Sequence, residues 1–232
     1  MPGGLFAAHT LSRAFKYLNP EDAVEAQVAG LTEWLSIETE RACGVCSSQL
    51  RPDERPIASL AYMLPQQRLL VMVGDCQAIT GREYVQHSKR IDDLVGRVRA
   101  RTLERCLKRG MTMPELLAMP CDPGRARILP LMAYSSRFQN LPGRRYSYGV
   151  FDGTPISRSL FQVHGLDAGA EVVLASDGYP LLRPSLLESE QELSRLLRAD
   201  PLCMNELQGV KPKPGSQVSH DDRAYVRVKL TG

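Results

Sequence analysis

The sequence predicts an α+β fold in which antiparallel strands form a sandwich covered by helices. Helical periodicity fills residues 5–41 and returns in two later blocks. The strand-like runs between those blocks follow one another through short turns, which is hairpin spacing and not the spacing of regular βαβ winding. The run Leu69–Val73 is almost wholly apolar, as expected of a central strand buried on both faces.

The first element is a short helix over residues 5–17, closed by Asn19-Pro20. A second helix is expected to start there, with Asn19 as cap, Pro20 in the first position and Glu21 and Asp22 in the first turn. Val24, Val28, Leu31 and Leu35 then recur at three- and four-residue spacing, which buries one face. Residues 44–56 are polar and proline-broken, so they read as a loop. Strands over 57–64 and 68–73 flank Pro65-Gln66-Gln67, a hairpin turn. The chain alternates again to Thr80 and turns at Gly81. A long helix from about Ser88 to Lys108 follows, with Gly110 ending it. Short helices occupy 111–140. Tyr146–Phe151, Leu160–Val163 and Val172–Ala175 read as strands. Ser185 and Glu188 form a capping box that opens a helix to about Arg198. A basic, proline-rich loop (Lys211-Pro-Lys-Pro-Gly215) leads to the last strand, Tyr225–Leu230. With no repeat and no linker, residues 1–232 read as one domain.

Composition narrows the function classes. The chain has 232 residues, 43% hydrophobic and 24% charged, which is ordinary globular composition. A net charge of +3 is too small to imply a nucleic-acid partner. The basic run Arg97, Arg99, Arg101, Arg105, Lys108 and Arg109 reads as the wet face of a helix. The six cysteines are thinly spread, and Cys43-Gly-Val-Cys46 lacks the second pair that a zinc site needs. No apolar run is long enough for a membrane span, and the N-terminus lacks a secretory layout. The expectation is a cytoplasmic protein without membrane or nucleic-acid partners.

Three acidic turns carry the chemistry: Val73-Gly-Asp75-Cys, Ala175-Ser-Asp177-Gly and Ser219-His-Asp221-Asp222. A carboxylate at the end of an apolar strand sits on a rigid support, and several such groups can converge on one hard cation. Magnesium and manganese take oxygen ligands of this kind. Two close cations can clamp a phosphoryl group for in-line attack. Each turn taken singly is also ordinary turn chemistry, since Asp and Gly favour turns.

These segments resemble the phosphatase 2C family. LLVMVGDCQA over residues 69–78 is similar to that family's strand running into Gly-Asp-Ser-Arg-Ala. VLASDG over 173–178 is similar to its Ser-Asp-Gly strand end. SHDDRAYVRV over 219–228 resembles its terminal Asp-Asn strand. The resemblance covers about residues 57–232 and implies an α-β-β-α sandwich of two antiparallel sheets flanked by helices. It implies Asp177 and Asp221 as ligands of a magnesium or manganese pair, and Asp75 as a ligand of a further, weaker cation. It also implies hydrolysis of phosphoserine, phosphothreonine or a related phosphomonoester, with a phosphorylated protein or small phosphomonoester as partner.

The family places a bridging aspartate before its first long helix, whereas here no acidic residue precedes Glu21. The expectation is therefore an incomplete two-metal site and shortened N-terminal strands. An inactive pseudophosphatase serving as a binding module is the alternative. A third reading is an N-terminal-nucleophile hydrolase, freed before Ser47 or Ser59. Asp152, in Phe151-Asp-Gly-Thr, and Asp222 are second-rank candidates. His220 is a candidate general acid, while His9, His87 and His164 read as surface or capping residues.

Overall fold

The computed structural model describes residues 3–87, 89–209 and 221–230. Ser88, the basic loop 211–215, Ser219 and His220 lie outside the described residues. The fold is α+β, with two antiparallel sheets flanked by helices. In chain order the elements are α1 (Gly3–Ala14), α2 (Val24–Cys43), β1 (Leu60–Leu64), β2 (Leu69–Val73), β3 (Gln77–Thr80) and β4 (Glu83–Gln86). Then follow α3 (Arg90–Lys108), α4 (Met113–Ala118), α5 (Pro123–Ser135), β5 (Phe161–Gly165), β6 (Glu171–Ala175), α6 (Leu186–Ala199) and β7 (Tyr225–Lys229).

One sheet has the order β1-β2-β5 and the other β4-β3-β6-β7. β2 pairs antiparallel with both neighbours, Val71 standing opposite Tyr62 and Val163. The β6–β7 pairing is antiparallel as well: the Ser176 N–H donates to the Ala224 carbonyl, and the Leu230 N–H to that of Ala170.

By internal contacts the chain forms two compact units. Unit one comprises Met1–His87, Ser136–Leu174 and Arg227–Gly232; unit two comprises Ser88–Ser135 and Ala175–Val226. The division falls within β6 and β7.

Unit one is layered by the two-residue period of β2. Val71 and Val73, with Tyr62, Leu64 and Phe161, pack under Ala7 and Leu11 of α1 and under Val28, Leu31 and Leu35 of α2. Leu70 and Met72 point the other way, onto Ala78, Val85 and Val172 of the second sheet. The all-apolar run is thus central and covered on both sides, as its composition predicts.

Unit two is built on α3. Leu103 packs with Leu116 of α4 and with Leu202. Arg99, in the middle of the basic run, is fully buried. It pairs with Asp122 at 2.9 Å and donates to the carbonyls of Leu202, Cys203 and Gly209. Gly124 makes room for it, since a Cβ there would stand 2.7 Å from Arg99 Cγ. The reading of the run as a wet face is therefore corrected at this position, where a paired guanidinium fixes the segment after α6.

Two further expectations are corrected. α2 starts at Val24 with Ala23 as its cap, and not at Asn19-Pro20. The Gln27 side chain reaches back to the carbonyls of Asn19 and Asp22 at 3.3 and 2.9 Å, which closes a turn where the helix was expected to begin. Tyr146–Phe151 is not a continuous strand. It makes two isolated bridges, Gln139 to Tyr148 and Ala58 to Phe151, and the Asn140 side chain satisfies Val150 from both directions.

Candidate metal centre

The C-terminal end of β6 and the start of β7 carry two of the expected ligands on neighbouring strands. Ser176 fastens the two strand ends. Its N–H donates to the Ala224 carbonyl, and its hydroxyl accepts the Ala224 N–H at 3.0 Å. Two residues further on, Gly178 meets the opposite backbone. A Cβ there would lie 2.3 Å from the Asp222 carbonyl oxygen and 2.7 Å from Arg223 Cβ. Any side chain at 178 would pry the turns apart, so glycine is required here by space. Asp177 is exposed and Asp221 half-buried, at a strand end that solvent reaches. The Asp221 carboxylate accepts the N–H of Asp222 at 3.0 Å, which orients it.

The Asp221–Asp222–Arg223 segment is also tied to α6. Arg223 makes a two-pronged pair with Glu190, with Nε to Oε1 and Nη2 to Oε2 both at 2.8 Å. The Tyr179 hydroxyl donates to the same Glu190 oxygen at 2.7 Å, and Arg223 lies over the Tyr179 ring. This guanidinium holds the Glu190 carboxyl below its usual range. Burial, followed by the carboxylate next to it, pushes the Tyr179 hydroxyl up. Tyr225, the first residue of β7, donates to the Pro184 carbonyl just before α6. The Ser185–Glu188 capping box fixes where that helix starts, as its spacing predicts.

Asp75 belongs to unit one and is held there by Ser59. The Ser59 hydroxyl donates to Asp75 Oδ1, and the Asp75 N–H donates to the same hydroxyl at 3.4 Å. Gly74 has a φ of +91°, and a Cβ on it would stand 2.2 Å from the Ser59 oxygen. That close approach makes Gly-Asp a local unit with Ser59.

Asp152 is a structural carboxylate. It is fully buried, pairs with Arg55 at 3.0 Å, and accepts from Asn140 Nδ2 and from the N–H and hydroxyl of Thr154. Gly153, at φ +78°, packs against Ser47, which is itself buried. Of the two serines of the N-terminal-nucleophile reading, Ser47 is buried and Ser59 is half-buried with its hydroxyl donated to Asp75.

Among the described residues no three His, Cys, Asp or Glu side chains group as a cation site. Magnesium is commonly held by one or two carboxylates with the rest of its shell water. Asp177 and Asp221 flank the same strand-end closure, and among the described residues no third side chain of these types groups with them. A cleft of about 410 Å3 runs along α6, lined by Arg183, Pro184, Glu188, Gln191, Glu192 and Arg195. Its guanidiniums are offset by an equal number of carboxylates, which gives an anion no net attraction.

No known family profile matches the sequence, and no curated protein matches it. Solved structures do align along nearly the whole chain. The serine/threonine phosphatase PstP/Ppp of Mycobacterium tuberculosis is 15% identical, with a TM-score of 0.45 over 99% of this chain and 83% of that one. The serine/threonine phosphatase of S. agalactiae is 13% identical, with a TM-score of 0.40 over 99% and 81%. A PstP catalytic domain in complex with two manganese ions is 13% identical, with a TM-score of 0.39 over 98% and 80%. Similarity at this level leaves those activities with those proteins. No helix among the described residues is long and apolar enough to cross a membrane.

Proposed function

We propose that this chain is a phosphatase-2C-like protein that holds one magnesium or manganese ion on Asp177 and Asp221 and receives a phosphomonoester there. A phosphoserine or phosphothreonine peptide, or a small phosphomonoester, is the substrate class. The observation that carries the reading is the closure of the two acidic turns on each other at the shared end of β6 and β7, through Ser176 and the bare Cα of Gly178. The apolar strand β6 supports the Asp177 turn, and the Asp221 turn is fastened to it through Ser176. A divalent cation bound there supplies positive charge against the phosphoryl oxygens. Asp177 and Asp221 bind it, Gly178 lets the strand ends approach, and Ser176 keeps them in register. Arg223 is committed to Glu190.

A second reading, the non-catalytic binding module, is supported by Gly74-Asp75-Cys76-Gln77 standing where the resembled family has Gly-Asp-Ser-Arg. The same experiment separates the two: manganese titration into chelator-stripped protein, with aryl-phosphate hydrolysis followed in the same samples. Uptake with turnover, both lost in Asp177→Asn, supports the phosphatase. Uptake without turnover supports the binding module. Absence of uptake sinks the cation reading.

A further inference from the structure

The two turns are joined by two backbone-level contacts, from Ser176 and Gly178. A side chain from a helix also bears on the Asp221 turn. Arg223 follows Asp221 by two residues, and its guanidinium is gripped on two edges by the two oxygens of Glu190 at 2.8 Å each. Its remaining Nη1 donates to the Asp221 carbonyl at 3.5 Å, so the same group braces the backbone of the proposed ligand. Tyr179, two residues after Asp177, donates to the shared Glu190 oxygen at 2.7 Å. Glu190 therefore touches the chain just beyond both aspartates, once through Arg223 and once through Tyr179. A two-pronged guanidinium–carboxylate pair fixes orientation as well as distance, which a lysine or a neutral amide cannot reproduce. Glu190 lies in the second turn of α6, whose start is itself fixed by the Ser185–Glu188 box.

We infer that Glu190 is a positioning residue: through Arg223 and Tyr179 it holds the Asp177 and Asp221 turns in the one arrangement in which both carboxylates serve a single cation. For its consequence the inference rests on the cation reading above; for its geometry it rests on the hydrogen bonds themselves.

The test compares the full chain with Glu190→Gln and with the exchange Glu190→Arg/Arg223→Glu. Three quantities are read: manganese affinity, hydrogen exchange of the Ser176 and Ala224 amides, and the thermal midpoint. Loss of an outer partner that orients a ligand typically weakens metal binding by 10–100-fold, so Glu190→Gln is expected to weaken manganese binding about tenfold. It should also speed exchange at those two amides selectively, with little change in midpoint, and the exchanged pair should recover both. Unchanged affinity and exchange in Glu190→Gln overturn the inference. So does faster exchange throughout unit two with a lowered midpoint, which is general loosening. If the wild-type chain takes up no manganese, the cation reading fails and exchange decides alone. Selective acceleration that the exchanged pair reverses upholds the clamp, and equal exchange overturns it.

Discussion

In unit one, Asp152-Gly153 lies at 0% exposure for its carboxylate, with Arg55, Asn140 and Thr154 filling its hydrogen-bonding capacity. In unit two, Asp177-Gly178 lies at a strand end with its carboxylate in solvent and its glycine pressed against a neighbouring carbonyl. The dipeptides are identical in sequence, and neither glycine leaves room for a side chain. A Cβ would stand 2.1 Å from the Ser47 oxygen at Gly153 and 2.3 Å from the Asp222 carbonyl oxygen at Gly178, and Gly153 in addition adopts a positive φ of 78° that L side chains avoid. The comparison separates a carboxylate used as mortar from one left able to take a ligand. A buried, saturated carboxylate stabilises the fold and has no lone pair to spare. An accessible one at a strand end contributes little to stability and stays open to solvent.

The largest effect should come from the first of the two. Asp152→Ala leaves the nearly buried Arg55 without its carboxylate and removes one of the acceptors of the Asn140 amide, and breaking a buried pair from one side costs about 3–5 kcal/mol. Urea denaturation checks this; a loss as small as that of a surface substitution would dissolve the contrast.

Next is Gly178→Ala, whose methyl must displace the Asp222 carbonyl. Overpacking of this kind costs about 1–3 kcal/mol, and here it should also abolish manganese uptake, because it separates the two turns. Retained uptake would show that their closeness is not what makes the site.

Asp177→Asn is expected to change stability by less than about 0.5 kcal/mol, as exposed positions do, while removing cation binding. A large loss of stability in the same urea assay would place Asp177 with Asp152 and end the distinction.

The smallest effect is a pH dependence at Glu190. Pairing with Arg223 depresses its carboxyl from the ordinary value of 4.5. A group whose folded value lies below its unfolded value adds stability above the unfolded value and loses it as pH falls through the folded one. The difference in stability between wild type and Glu190→Gln should therefore be full at neutral pH, shrink below about pH 4.5 and vanish further down. The side chain is 37% exposed, and solvent screening limits the whole term to about 1 kcal/mol or less. A difference that grows on acidification would contradict the sign.

What the sequence made legible was local or periodic. The apolar run of β2, the Pro65–Gln67 hairpin, the Ser185 capping box and the end of α3 near Gly110 all follow from residues within a few positions of one another. The expected α2 start failed because Gln27, eight residues beyond Asn19, takes its carbonyl and makes a turn there. Arg99 was misread because its acceptors lie 23 to 110 residues away, at Asp122, Leu202, Cys203 and Gly209. Asp152 looked like its exposed counterpart because Arg55 stands 97 residues off. The two acidic turns of β6 and β7 were visible as motifs. Glu190, 33 residues before Arg223, carried no sequence signal beyond its place on a charged helix face.

Calorimetric titration of manganese into the chelator-stripped chain, beside Asp177→Asn and Asp221→Asn, tests the central claim most directly. The account predicts one saturable site in the wild type, lost in either variant while the fold is retained. Uptake that persists in both variants, or no uptake by the wild-type chain, would contradict it.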